Sequence, residues 1–143
     1  MKSGSCPCCS GKSYNQCCRK YHEGTLPENA LVLMRSRYSA YALDIAPYII
    51  QSTHPKSPHL VKDKKQWIRE LHLFSTQVIF EKLEIREWQF GDDESYVTFT
   101  AYLSKDGKDL TFTEKSRFLK EGNQWLYVDG VISRGASWRA TFS

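Results

Sequence analysis

Residues 6–18 read CPCCSGKSYNQCC and hold all five cysteines of a 143-residue chain. Thiolates are soft, charged and readily deprotonated by a divalent metal, so a tetrahedral zinc site is the chemistry that this density of sulfur suits best. Four of the five would complete it. The spacing Cys6-x-Cys8, a gap of eight residues, then Cys17-Cys18 lets two short arms meet across a turn supplied by Ser10 and Gly11. Four thiolates on one zinc leave a formal charge of about −2, and Lys12, Arg19 and Lys20 lie close in sequence to offset it. Other readings fit less well. Disulfides would leave an odd thiol and demand strained bridges between adjacent cysteines. A redox pair has one CxxC to draw on, Cys6 to Cys9, and an iron–sulfur cluster finds no other sign of electron transfer in the chain.

A second set of candidates lies far from the cysteines. Period two along LTFTEKSRF puts Glu114 and Ser116 on the strand face of Leu110, Phe112 and Phe118, which is expected to point inward. A carboxylate there needs a partner. Arg37 stands three residues from Met34 and four from Tyr41 on a helical pattern, so it borders the apolar face. An Arg37–Glu114 ion pair would compensate both charges, with Tyr38, Tyr41, Trp125 and Asp129 as neighbours. Two readings follow from that geometry. In one, Arg37, Tyr41, Glu114, Trp125 and Asp129 line a pocket that binds a small polar ligand or poises a carboxylate for proton transfer. In the other, which we favour, the pair only fixes helix against sheet. The four histidines, His22, His54, His59 and His72, are scattered, and none is matched to Glu114 or Asp129 as an acid–base partner. No Gly-rich phosphate loop or nucleophile motif is present, so no catalytic residue is assigned and a non-enzymatic protein is expected.

The elements that must position these residues follow from periodicity. Residues 1–24 are rich in Ser, Gly, Lys and Tyr, nearly free of aliphatic side chains, and cannot build a core alone. They form the first unit, and residues 25–143 the second. In PENALVLMRSRYSAYAL, Ala30, Leu31, Met34, Tyr38, Tyr41 and Ala42 share a helical face, which predicts a helix over 28–43. A short turn of helix is expected at Ala46 to Gln51, and the two prolines of QSTHPKSPHL predict a loop. Asp63 and Gln66 resemble a capping pair before Trp67, Ile68, Leu71 and Phe74, giving a second long helix over 63–75. The period then falls to two. Leu83 and Ile85 alternate in one phase and Trp88 and Phe90 in the other, which predicts a bulged strand. YVTFTAYL, an Asp106-Gly107 turn, Leu110 to Phe118, a turn at residues 121–123 and QWLYVDGVI complete an antiparallel meander. Helices followed by a meander specify an α+β fold, with helices packed on one face of the sheet.

Composition narrows the function. With 41% hydrophobic and 25% charged residues the chain is expected to be an ordinary soluble domain. The net charge of +4 arises from 20 basic and 16 acidic residues that are largely interspersed, and only Lys62, Lys64 and Lys65 cluster. Weak attraction to acidic surfaces is expected; nucleic acid is a less favoured partner, because the aromatic spacing suits core faces better than base stacking. No stretch has the roughly 18 apolar residues of a membrane span, and the N-terminal residues lack a secretory segment. A cytoplasmic location, with reduced thiols, is the expectation.

CPCCSGKSYNQCC resembles the SEC-C motif described at the C-terminus of the SecA preprotein translocase ATPase, CPC-G-SG-x4-C followed by Cys or His. The resemblance implies Cys6, Cys8, Cys17 and Cys18 as zinc ligands. It also puts Cys9 where the motif ordinarily has glycine, a fifth thiol that competes with Cys8, while His22 competes with Cys18. MRSRYSAY, TEKSRF and WLYVDG, in that order after the motif, are similar to the YchJ-like family. That family implies a nuclear-transport-factor-like or cystatin-like roll, helices wrapped by a curved antiparallel sheet. The family's usual His-Glu appears here as Thr113-Glu114. The function these resemblances imply is a zinc-binding accessory or adaptor protein. Its knuckle would present Lys12, Tyr14, Arg19, Lys20 and Tyr21 to an acidic protein or ribosomal surface. A small-ligand binder or enzyme using the Arg37–Glu114 pocket is the alternative, and pairing of two copies through Tyr96, Thr98, Thr100 and Tyr102 is an open option.

Overall fold

A computed structural model describes residues 4–134. After a 3-10 turn at Tyr14–Gln16 come four helices, α1 (Arg19–His22), α2 (Ala30–Ala42), α3 (Ala46–Gln51) and α4 (Lys64–Gln77). Five strands follow: β1 (Ile79–Gln89), β2 (Glu94–Lys105), β3 (Lys108–Asp109), β4 (Phe112–Glu121) and β5 (Gln124–Arg134). The sheet runs β1-β2-β4-β5, all antiparallel, with β3 paired to the end of β2. Helices first and meander second give the expected α+β fold.

Each long helix starts at a side-chain cap. Asn29 Oδ1 accepts the Val32 N–H at 2.9 Å, so α2 begins two residues after the predicted start. Asp63 Oδ1 accepts from Lys65 and Gln66 N–H, but the Gln66 side chain turns away to Glu70, so only half of a capping box forms. Pro47 falls in the first turn of α3, where its missing N–H costs nothing.

Burial departs from the single-face reading of both long helices. Trp67, Leu71 and Phe74 are buried, whereas Ile68 is 44% exposed. In α2, Ser36, Arg37, Ser39 and Ala40 are buried together with Leu33, Met34 and Tyr38. This helix is enclosed on most sides: α3 and α4 pack beside it, the sheet lies under it, and α1 closes the remaining flank. Small residues at 36, 39 and 40 allow that close approach, and the Ser36 hydroxyl hydrogen-bonds the Tyr48 hydroxyl at 2.6 Å.

The sheet carries the expected phase change. β1 shifts register between Phe80 and Lys82 and again between Ile85 and Glu87, and each bulge reverses the face that later residues use. On β2 and β4, Val97, Phe99, Ala101, Leu103, Phe112, Glu114, Ser116 and Phe118 are all buried under the helices. The Asp106-Gly107 turn has both residues at positive φ, 51° and 78°, as a type I′ hairpin requires. The opposite face is polar: Thr100 bonds Thr113, Tyr102 bonds Glu84 and Arg117 bonds Asp129. No helix among the described residues is long and apolar enough to cross a membrane.

Candidate metal centre

Residues 4–14 fold back on themselves. Cys6 N–H donates to Lys12 O at 3.0 Å, Tyr14 N–H to Gly4 O at 2.6 Å, and Ser5 bridges Ser13, so the two arms lie side by side. Cys17 and Cys18 then follow the 3-10 turn and open α1. The result brings Cys6, Cys8, Cys17 and Cys18 together, all four sulfurs within 4.8 Å of one another. A tetrahedral zinc with bonds of ~2.3 Å has sulfur–sulfur edges of ~3.8 Å. Cys8–Cys17 at 3.6 Å and Cys17–Cys18 at 3.9 Å match those edges. Cys6, Cys8 and Cys18 are buried, Cys17 is partly open, and all five cysteines are free thiols.

Electrostatics within the cluster favour a cation. Hydrogen bonds from Cys18 and Cys8 stabilise the Cys6 thiolate and lower its pKa to about 3. The same contacts and burial push Cys18 well above the ordinary thiol range. One negative sulfur thus draws on the protons of its neighbours, and a divalent metal would replace those protons. Supporting contacts come from Ser10, whose hydroxyl lies 3.1 Å from Cys17 Sγ, and from Arg35, whose Nη1 donates to Cys8 O at 2.7 Å. Arg35 was not legible as part of this site, since it lies 27 residues away from Cys8 on α2.

Both competing candidates, His22 and Cys9, lie outside the four-sulfur group. His22 Nε2 lies 2.8 Å from Ser36 O, and a carbonyl can only accept, so Nε2 carries the proton. Nδ1 then accepts from the Tyr14 hydroxyl at 2.7 Å. Both ring nitrogens are engaged away from the sulfurs, and burial lowers the His22 pKa below its usual value. His22 is a junction residue, packed edge-on against Tyr48. Cys9, exposed and outside the four-sulfur group, turns the other way: its Sγ accepts the Leu83 N–H of β1 at 3.4 Å.

In the main fold, Arg37 and Glu114 are both buried but do not form the expected ion pair. Arg37 Nη1 donates to Ile49 O, Ser52 Oγ and Thr53 Oγ1, and its guanidinium lies 4.7 Å over the Tyr127 ring. Tyr127 in turn donates its hydroxyl to Glu114 at 3.1 Å, and Ser116 does so at 2.5 Å. Tyr127 therefore stands between the two charges. Arg37, Tyr41 and Glu114 line a cavity under the helices, whereas Trp125 and Asp129 do not. Trp125 faces a separate cleft beside Tyr21 and Tyr48. Asp129 lies on the polar face, held by Arg117 Nε and Nη2 at 3.0 and 3.2 Å. The reason is a bulge in β5: Arg117 pairs with Asp129 and Phe118 with Tyr127, leaving Val128 as an extra residue that reverses the phase. His59, which the sequence left in a loop, also lines the cavity, stacked on Tyr127 at 5.9 Å.

A family model described as the middle NTF2-like domain of YchJ matches residues 29–130. The chain belongs to the YchJ-like family. Curated relatives agree: a UPF0225 protein of Vibrio vulnificus is 39% identical over 136 residues, 91% of this chain and 76% of that one. Another, from Pectobacterium carotovorum, is 40% identical over 136 residues, 90% of this chain and 84% of its own length. Among solved structures, a SEC-C motif containing protein from Rhodopseudomonas palustris superposes with a TM-score of 0.78 at 27% identity, covering 90% of this chain and 98% of that one. A SEC-C motif containing protein from Psychrobacter arcticus, at 23% identity, shares the fold with a TM-score of 0.73 over 96% and 88% of the two chains.

For a YchJ-like chain with a SEC-C motif, position 9 is the departure. Its φ is 64°, the left-handed conformation that glycine tolerates and that costs another residue ~1 kcal/mol or more. The backbone of the motif is thus kept, and cysteine bears the strain. Cys9→Gly is expected to retain full metal content and to leave the thermal midpoint within about 3 °C, because relief of strain offsets the lost Leu83 contact. A fall in bound metal on titration with a chromogenic chelator would show that Cys9, not Cys8, is a ligand. Thr113 places its hydroxyl 2.8 Å from that of Thr100 on the polar face, away from the cavity.

Proposed function

We propose that this protein is a zinc-dependent, non-enzymatic accessory protein of the cytoplasm whose cysteine knuckle, residues 1–24, docks onto an acidic surface of a protein partner. The main fold, residues 25–143, serves as its scaffold. The four converging sulfurs carry this reading. An all-thiolate set favours zinc over the hard cations that prefer oxygen, and two structural neighbours are SEC-C motif containing proteins.

The knuckle's outer side supports a basic docking face. Lys12, Arg19 and Lys20 are exposed around the buried sulfurs. Tyr14 and Tyr21 are not part of that face: Tyr14 is committed to His22, and Tyr21 is buried in the main core with its hydroxyl on Glu28. A translocase-associated or ribosomal protein would supply the acidic counterpart. Such contacts are expected to be salt-sensitive.

Elemental analysis of protein prepared in metal-free buffer is expected to find about one zinc per chain. No zinc, with every thiol open to titration, would overturn the assignment. The docking face is tested by cross-linking in cells followed by mass spectrometry, comparing wild type with Lys12→Glu/Lys20→Glu. Loss of the same acidic partner from the variant and from zinc-depleted cells supports the reading. Equal recovery in all three overturns it.

A further inference from the structure

The hairpin that joins β1 to β2 carries two aromatic side chains in the open. Trp88 and Phe90 are 53% and 51% exposed, whereas rings of this size are mostly covered in a folded domain. Trp88 pairs with Val97, which is fully buried on the face that the helices cover. Its ring, and that of Phe90 two positions on, belong to that face at an end that the helices leave open. Side chains at alternate positions of extended backbone stand ~7 Å apart on one side, which matches alternate side chains of a second extended chain.

The backbone beneath the rings is held in place. Gly91 N–H donates to Oγ of the buried Ser95 at 3.2 Å, and Lys120 N–H of β4 donates to Asp93 O at 2.9 Å. A Cβ at position 91 would come within 2.5 Å of Glu94 O, so the turn takes glycine. A surface that is already ordered loses little entropy on binding.

Charge decides the occupant. Glu87, Asp92, Asp93 and Glu94 flank the two rings in sequence, and all four are exposed. Glu94 accepts from the Tyr96 hydroxyl and lies 4.0 Å from Arg117. Among the described residues no cation pairs with the other three. Lys120 holds Asp93 by its main chain but turns its ammonium over the Trp125 ring at 5.9 Å. Nucleic acid and anionic bilayers are repelled by such a patch. A guanidinium suits it: planar and weakly hydrated, it stacks on an aromatic face while its edge forks onto a carboxylate, a geometry that the compact lysine ammonium lacks.

We propose that the β1–β2 hairpin is a docking site for an extended, arginine-rich segment of a protein partner. Guanidinium groups at alternate positions stack on Trp88 and Phe90 and pair with Asp92 and Asp93, while Glu87 and Glu94 add to the attracting field. This site is independent of the cysteine knuckle and stands whether or not the knuckle's docking role holds.

The test is a titration of the full-length protein at neutral pH and low salt, followed by amide chemical shifts. The probes are a blocked hexapeptide alternating glycine with arginine, its lysine counterpart and its glutamate counterpart. The arginine peptide is expected to bind saturably, with shifts centred on residues 87–94, at least about threefold more tightly than the lysine peptide. The glutamate peptide should not bind. Trp88→Ala is expected to weaken the arginine peptide about fivefold, and Asp92→Asn/Asp93→Asn by a similar factor; Phe90→Ala serves if Trp88→Ala fails to melt cooperatively. No saturable binding, equal affinity for arginine and lysine peptides, or unchanged affinity in a folded ring variant each overturns the proposal. Sedimentation without peptide adds one further outcome: self-association that Trp88→Ala abolishes would assign the face to a second copy of the chain and overturn it as well.

Discussion

Cys8→Ser is expected to abolish stoichiometric zinc binding and to lower the thermal midpoint of the whole protein by roughly 10–20 °C, equivalent to ~3–5 kcal/mol for a chain of this size. Cys8 is fully buried among the sulfurs, and its carbonyl holds Arg35 of α2 at 2.7 Å. Serine offers a harder, less acidic oxygen and leaves the three remaining sulfurs without their fourth partner. The damage spreads because the knuckle is built into the main core. Directly after Cys18, Tyr21 enters that core and His22 bonds Ser36 O. One cooperative transition is therefore expected, not a separate melting of the first 24 residues. Acidification should act in the same direction: metal binding must displace the proton of Cys18, whose pKa is raised, so affinity falls as pH falls. Differential scanning calorimetry with parallel zinc analysis checks both parts. Full zinc content, or an unchanged main transition, would refute the argument.

Gly130→Ala is expected to cost ~3 kcal/mol, although the change adds one methyl group to a strand with ordinary backbone angles. A Cβ at position 130 would overlap the Glu114 carboxyl group, coming within 2.6 Å of Cδ and 2.8 Å of Cγ. Glu114 cannot step aside easily. It is 1% exposed and receives the Ser116 and Tyr127 hydroxyls, so displacing it strands three polar groups in the core. Urea unfolding measures the loss, and a double-mutant cycle with Glu114→Ala identifies the cause. The two substitutions should be strongly non-additive, with a coupling of more than ~1 kcal/mol. A single-variant loss below about 0.5 kcal/mol would show that the carboxylate has room to move.

Legibility in the sequence followed locality. The four sulfurs were readable because two short arms separated by eight residues can meet by local turns alone. The bulge of β1 was readable because Leu83, Ile85, Trp88 and Phe90 record the phase change in their own hydrophobicity. The bulge of β5 was not, since Trp125, Leu126, Tyr127 and Val128 are all buried and conceal where the alternation breaks. That is why Asp129 was placed inside. Arg37 was correctly placed inside, but its partners could not be read: they are a backbone carbonyl and two hydroxyls at the end of α3, and no charge pattern announces them. Ile68 shows the opposite limit, an apolar residue on the expected face that simply lies beyond the helix contact.

The two outer strands of the sheet are guarded differently. β5 is covered at Tyr127, which exchanges main-chain hydrogen bonds with Ser52 and His54, whereas on β1 the described cover includes a sulfur, Cys9, accepting the Leu83 N–H. An uncovered edge is a template for addition of strands from other molecules. The position of Cys9 is fixed by the fold of the cysteine loop, so loss of metal would also withdraw that guard. On the proposed zinc-dependent reading, metal supply would set not only whether the knuckle is formed but also how readily the protein aggregates.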